Sequence, residues 1–219
     1  CLMAGNGSDE LISLIVGAFF LPGEELITLG FDFSMYHFYG EVFGAKTSIF
    51  PKKEDLTVDV DGLIEYAARV GARGLIFSNP CNPTSLCLDR KKVKRIIESL
   101  PDCLIVVDEA YMDFADESVL DYINDYENLI VLKTCSKAIG MAAVRLGFAA
   151  ANPTLTRALR SVKSPYNVNA MTQNVGYMVL SDGDYIVDSI AKIIRSRDKL
   201  YSGIMSIFAR HSCIDQVYP

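Results

Sequence analysis

The feature that most constrains this chain is a pattern that recurs along its middle. Leu75-Ile-Phe-Ser78 is a short apolar run that ends in Asn79-Pro-Cys-Asn-Pro-Thr84. Cys103-Leu-Ile-Val-Val107 is a second, ending in Asp108-Glu-Ala-Tyr111. Leu129-Ile-Val-Leu132 is a third, followed by Thr134, Ser136 and Lys137. Between the first two lies a helical stretch, with Asp89 as its cap and Val93, Ile96, Ile97 and Leu100 at helical spacing. Runs this continuously apolar are buried on both faces. They predict an α/β fold, a mostly parallel sheet sandwiched by helices.

Further strands are expected at 25–29, 47–51 and 144–151. Helices are expected at 36–44, 61–70, 154–162, 171–180 and 184–210. The last is long enough to link two domains. Near the start, Gly5-Asn-Gly-Ser-Asp-Glu10 precedes a helical stripe of Leu11, Ile12, Leu14, Ile15, Ala18 and Phe19. Free N–H groups at such a helix start make an anion seat, or simply an N-cap. No strand is expected ahead of it. Glu10 stands where a dinucleotide fingerprint needs its third glycine, so that reading fails. Phe31-Asp-Phe-Ser-Met-Tyr36 is an aromatic-rich turn whose rings either join the core or stack on a planar ligand.

Composition excludes several classes. Half the residues are hydrophobic, enough for a substantial core. Net charge is -6 and no long basic run occurs, which argues against nucleic acid. Lys192, Arg195, Arg197 and Lys199 read as one solvated helix face. The six cysteines form no C-x-x-C pair and only His37 and His211 accompany them, so no zinc site is expected. Reduced thiols and a cytosolic location follow. There is no signal peptide, and the longest apolar run, 11–21, is broken by Ser13 and Gly17 and too short to span a bilayer. The chain opens without Met and closes without a tail, which reads as a piece of something longer. The expected division is a large domain at 1–183 and, at 184–219, a linking helix with the start of a smaller C-terminal domain.

Three strand ends carry the chemistry: Asn82, then Asp108 with Tyr111, then Lys137 with Arg145. About one strand–helix unit separates each from the next, so they can sit side by side where open α/β sheets bind ligands. An Asp there can keep a pyridine nitrogen protonated. Asn and Tyr can hydrogen-bond a ring hydroxyl. A lysine can bond an aldehyde, and Arg with two hydroxyls can hold a phosphate. Singly, each has an ordinary explanation: Asp108 caps a turn, Asn82 sits in an Asn-Pro turn, Lys137 is solvated. As a set they fit pyridoxal phosphate.

These motifs carry a resemblance. Gly5–Glu10, Ser78-Asn-Pro-Cys-Asn-Pro-Thr84, Val107-Asp-Glu-Ala-Tyr111 and Thr134-Cys-Ser-Lys-Ala138 with Arg145 resemble fold-type I pyridoxal phosphate enzymes. The branch is the class I/II aminotransferases, most closely the histidinol-phosphate aminotransferases. The resemblance runs over nearly the whole chain. It implies that Lys137 forms a Schiff base with the cofactor and shuttles a proton, and that Asp108 pairs with the ring nitrogen. It implies that Asn82 and Tyr111 contact the ring oxygen, and that Phe33 stands in for the usual stacking tyrosine. Gly7, Ser8 and Asp9 at the helix start, with Thr134, Ser136 and Arg145, are implied to hold the phosphate. Cys81 and Ser85 depart from the common Asn and Gly.

The implied reaction moves an amino group between a phosphorylated amino substrate, such as histidinol phosphate, and 2-oxoglutarate, in a homodimer. A threonine-phosphate decarboxylase-like enzyme and a non-catalytic domain of the same fold are the alternatives. An N-terminal arm and a small domain bearing the carboxylate-binding arginine are implied to lie outside this stretch. Alone, the stretch is therefore not expected to transaminate.

Overall fold

The computed structural model describes residues 1–211 and 217. Its centre is one seven-stranded sheet in the order β1-β7-β6-β5-β4-β2-β3. In chain order the elements are β1 (Leu2–Asn6), α1 (Gly7–Phe19), β2 (Glu25–Leu29), α2 (Met35–Val42) and β3 (Lys46–Phe50). Then come α3 (Val60–Val70), β4 (Gly74–Ser78), α4 (Arg90–Ser99), β5 (Leu104–Asp108) and β6 (Leu129–Thr134). The chain continues with β7 (Leu146–Ala151), α5 (Pro153–Val162), α6 (Ala170–Leu180) and α7 (Gly183–Phe208).

The continuous apolar runs have a simple cause. Successive strand residues point to opposite faces, and both faces are covered. In β5, Leu104 and Val106 join one core while Ile105 and Val107 join the other. In β6, Ile130 and Leu132 divide from Leu129 and Val131 in the same way. One core is closed by α1, α2 and α5, through Leu11, Ile15, Tyr36 and Leu159. The other is closed by α3 and α4, through Leu63, Ala67, Val93 and Ile96. Each fully buried aliphatic side chain contributes about 1.5–3 kcal/mol relative to exposure. The helix starts are set locally. The side chains of Asp89 and Asn152 accept from Lys91 N (2.6 Å) and Leu155 N (3.0 Å), as N-caps do.

Two expectations need correction. A strand does precede α1: β1 pairs antiparallel with β7, Leu2 opposite Ala150 and Asn6 opposite Leu146. Its five residues, two of them Ala and Gly, are too short and small to show as an apolar run. The strand expected from 144 begins instead at Leu146. Residues Ala142–Val144 form a 3-10 turn and Arg145 adopts a left-handed backbone, φ 59°. The sheet is accordingly mixed. β2 to β6 run parallel, and β7 is antiparallel to both its neighbours.

This topology positions the site. β4, β5 and β6 are adjacent, so their C-terminal ends lie along one edge. Because β7 runs the other way, its beginning, at Arg145, meets the end of β6: Thr134 is opposite Gly147. β1 runs antiparallel to β7 in turn, so the start of α1 reaches the same edge. At the far end of the chain, α7 has no buried residue, and Val187 and Leu200 on it are exposed. Among the described residues no helix is long and apolar enough to cross a membrane.

The junction of β7 with α1 is tight. A Cβ on Gly147 would lie 2.5 Å from Ser8 N and 2.6 Å from the Gly7 carbonyl carbon, both backbone atoms with little room to move. Gly147→Ala should therefore lower stability by about 1–3 kcal/mol, as overpacking does. Urea unfolding midpoints of the two proteins measure this, and equal midpoints would show that the backbone at Gly7 and Ser8 gives way without cost.

Candidate active site

At the sheet edge the strand ends enclose a cavity of about 140 Å³. Asn82, Asp108, Tyr111 and Lys137 line it from β4, β5 and β6. Ser8 and Asp9 enter from the first turn of α1, Thr134 and Ser136 from the end of β6, and Arg145 from the start of β7. Phe33 closes one wall. Gly7 does not line the cavity but lies beneath it. Its φ is +81°, and a Cβ there would meet Arg145 Nη2 at 2.5 Å. So Gly7 serves the cavity by leaving the guanidinium room.

Asp108 is the most constrained group. Its carboxylate is buried at the end of β5. Oδ2 accepts the phenol O–H of Tyr36 at 2.9 Å, and Oδ1 accepts the N–H of Ala110 at 3.0 Å. Burial pushes its pKa from 3.8 up to about 6. Those two bonds oppose the rise, and the nearby charges of Asp32 and Glu109 add to it. Glu109, the next residue, points behind the sheet edge. It accepts from Ser118 Oγ at 2.7 Å and Val119 N at 2.8 Å, with Lys133 Nζ at 3.5 Å, which pins the loop after β5.

The cationic end lies on β6 and β7. Lys137 Nζ stands 5.4 Å from the centroid of the Tyr111 ring. Thr134 Oγ1 donates to Ser136 Oγ at 3.0 Å and accepts the Ser136 N–H at 3.2 Å, so both hydroxyls are held at the mouth. Asp9 Oδ2 accepts from Tyr39 at 3.1 Å, while Oδ1 is buried without a hydrogen-bond partner among the described residues. The cavity thus carries Lys137, Arg145, two hydroxyls and a helix N-terminus on one side. On the other is a buried carboxylate bonded only by neutral donors. That donor set fits a small ligand with an anionic group at one end and a cationic or protonated atom at the other.

Three residues of the site escaped the sequence reading. Tyr36 looked like one more ring in an aromatic turn, yet it is fully buried and reaches Asp108. Ser78 looked like the end of a strand. Its Oγ donates to Asp32 and accepts the Asn82 N–H at 3.0 Å, which ties the loop bearing Asn82 to the loop bearing Phe33. Asp32 also accepts the N–H groups of Ser78 (3.2 Å) and Phe33 (2.7 Å). The available signal was weak: a buried tyrosine needs a partner, and nothing local to α2 supplies one. Asn79 holds the same loop from behind, bonding both backbone groups of Leu88 at 2.7 and 3.0 Å.

The family model for class I and II aminotransferases matches residues 2–217. The chain belongs to the class I and II aminotransferase family. The histidinol-phosphate aminotransferase of Clostridium novyi is 47% identical over 206 residues, 94% of this chain and 58% of that protein. A solved histidinol-phosphate aminotransferase from Sinorhizobium meliloti, in complex with pyridoxal-5'-phosphate, superposes with a TM-score of 0.86 at 25% identity. That match covers 92% of this chain and 55% of the other. The Clostridium acetobutylicum enzyme of the same name reaches 0.89 at 20% identity, over all of this chain and 64% of that one. The chain therefore spans somewhat more than half the length of the relatives it matches.

Within this aminotransferase-family chain, five of the six cysteines are described, and all five are free: Cys1, Cys81, Cys87, Cys103 and Cys135. Cys213 lies outside the described residues. Among the described residues no cluster of His, Cys, Asp or Glu is placed to hold a metal ion.

The raised pKa of Asp108 has a consequence for stability. The native carboxyl titrates near 6 and the unfolded one near 3.8, so the native state binds more protons between these values. Stability from this group is greatest below about pH 4 and is lost as pH rises through about 6. Asp108→Asn lacks that loss. In cofactor-free protein, its stability relative to wild type should climb by about 2–3 kcal/mol between pH 4 and pH 7. Urea titrations across that range test the slope; a difference that stays flat would place Asp108 in a more solvated setting.

Proposed function

We propose that this chain is the cofactor-binding part of a pyridoxal phosphate-dependent aminotransferase. Its amino substrate is phosphorylated, histidinol phosphate being the favoured one, and 2-oxoglutarate is the acceptor. The observation that carries the reading is the convergence of Lys137, Asp108 and Arg145 from three strands on one cavity. The identity to histidinol-phosphate aminotransferases supports the choice of substrate class. A homodimer, a cytosolic location, and a second domain entered through α7 and residues 184–219 belong to the same proposal. Exposed apolar side chains on α7 support the last part, although residues 212–216, 218 and 219 lie outside the described residues.

Bound pyridoxal phosphate supplies an aldehyde that captures amino groups and a ring that withdraws electrons from the captured carbon. The residues divide the remaining work. Arg145, Thr134, Ser136 and the N–H groups of Ser8 and Asp9 bind the phosphate at the positive end of α1. Phe33, in the cavity wall, would hold the ring from one side. Asn82 and Tyr111 would hold the ring oxygen and so orient the ring. Asp108 holds a proton on the ring nitrogen. Lys137 is the residue that would hold the aldehyde, and its amine is the base that would move a proton at the substrate α-carbon.

The test uses full-length protein loaded with pyridoxal phosphate. Borohydride should fix the cofactor onto the peptide containing Lys137, seen by mass spectrometry, and Lys137→Ala should show no adduct. An adduct on another lysine at the cavity would overturn the assignment. With histidinol phosphate, the wild type should form the corresponding oxo compound. Asp108→Asn should lower kcat by several orders of magnitude, each tenfold being about 1.4 kcal/mol of barrier. Carbon dioxide release from O-phosphothreonine, in place of transamination, would assign the protein to decarboxylation.

A further inference from the structure

Asp108 must do two things that conflict. It must stay charged to hold a cationic ring nitrogen, and it must stay buried to exclude water. The side chains that act on it are Tyr36 from α2, by a hydrogen bond, and, through their charge, Asp32 from the loop before α2 and Glu109, the next residue in the chain. The last two are carboxylates, and they repel its charge. A lysine or arginine would relieve that repulsion, but it would also neutralise Asp108 and compete with the ring nitrogen for it. A phenol donates a hydrogen bond and adds no charge.

We infer that Tyr36 is a positioning residue: its O–H fixes the carboxylate of Asp108 in orientation and keeps it an ionised acceptor for the ring nitrogen. The inference rests on the cofactor reading above. Its geometric basis is direct. Tyr36 is fully buried, lines the cavity, and reaches Asp108 Oδ2 at 2.9 Å, while Ala110 N holds Oδ1 at 3.0 Å. One donor on each oxygen stops rotation of the carboxylate plane; one donor alone would not. The phenol is itself held. Its ring meets Phe33 edge-on, centroids 5.5 Å apart at 80°, and Phe33 N is bonded to Asp32. Burial and the charges of Asp108 and Asp32 raise the Tyr36 pKa well above its usual value, so it remains a donor across the working pH range. The same turn of chain thus supplies the ring wall, through Phe33, and the orienting donor, through Tyr36.

The experiment uses full-length protein with 13C-carboxyl aspartate, first free of cofactor. In Tyr36→Phe the Asp108 midpoint should rise by roughly one pH unit, because a bond to the ionised form is lost. Fluorotyrosine at position 36, a stronger donor of nearly the same shape, should move the midpoint downward, and it covers the case in which Tyr36→Phe does not fold. Loaded with pyridoxal phosphate, Tyr36→Phe should lose roughly tenfold in kcat for histidinol phosphate, with KM little changed. An Asp108 midpoint unmoved in both variants, in protein that melts like wild type, overturns the inference alone. Failure of the wild type to bind pyridoxal phosphate overturns the cofactor reading and the inference with it.

Discussion

A charged carboxylate is buried at the end of the central strand, and much of the site follows from that one constraint. With a pKa near 6, Asp108 is ionised at neutral pH in surroundings that favour its neutral form. Its two bonds, from Tyr36 and Ala110, are both from neutral donors, so they steady the charge without cancelling it. Such an arrangement is unfavourable for the empty fold and favourable for a fold that takes up a cationic partner. Strain of this kind concentrates where ligands bind.

The other end of the cavity has the opposite character, and the sheet topology is the reason. Parallel strands alone would bring Asn82, Asp108 and Lys137 to one edge. The reversal at β7 brings Arg145 to that edge as well, and the antiparallel β1 brings the N-terminus of α1. Gly147 and Gly7 permit the approach, one by clearing the backbone of Ser8, the other by leaving space for the guanidinium. The cavity is therefore polarised, cationic toward β6 and β7 and anionic toward β5. A ligand with a phosphate and a protonated ring nitrogen at opposite ends is complementary to that field.

The loops around the cavity are tied to one another by side-chain hydrogen bonds. Asp32 collects three donors and joins the Phe33 turn to Ser78, while Ser78 Oγ holds the Asn82 backbone. Asn79 closes the same loop onto Leu88, and Glu109 anchors the loop beyond Asp108. Each buried polar group here both satisfies itself and orients a cavity residue, as a connected network should.

Much of this was legible in the sequence. Continuous apolar runs in β4, β5 and β6 announce strands buried on both faces, because alternate residues must enter two cores. The polar residues just past each run, Asn82, Asp108, Tyr111 and Lys137, are conspicuous for that reason; Arg145 follows eight residues past Lys137, and Gly7–Asp9 were added by the family resemblance. The helices were readable from stripes and from the cap at Asp89, while the cap at Asn152 came only with the structure. What the sequence did not disclose are the features that depend on distant partners. β1 is too short and its residues too small to signal a strand; only pairing with β7 makes it one. Tyr36 is an unremarkable ring until it meets Asp108, 72 residues away. Asp32 and Ser78 are ordinary loop polar residues until the two loops close on each other. Local order is written in periodicity and capping, which are properties of neighbours along the chain. The orientation and charge of Asp108 are set by groups that only the folded sheet brings within hydrogen-bonding distance, so tertiary structure alone decided them.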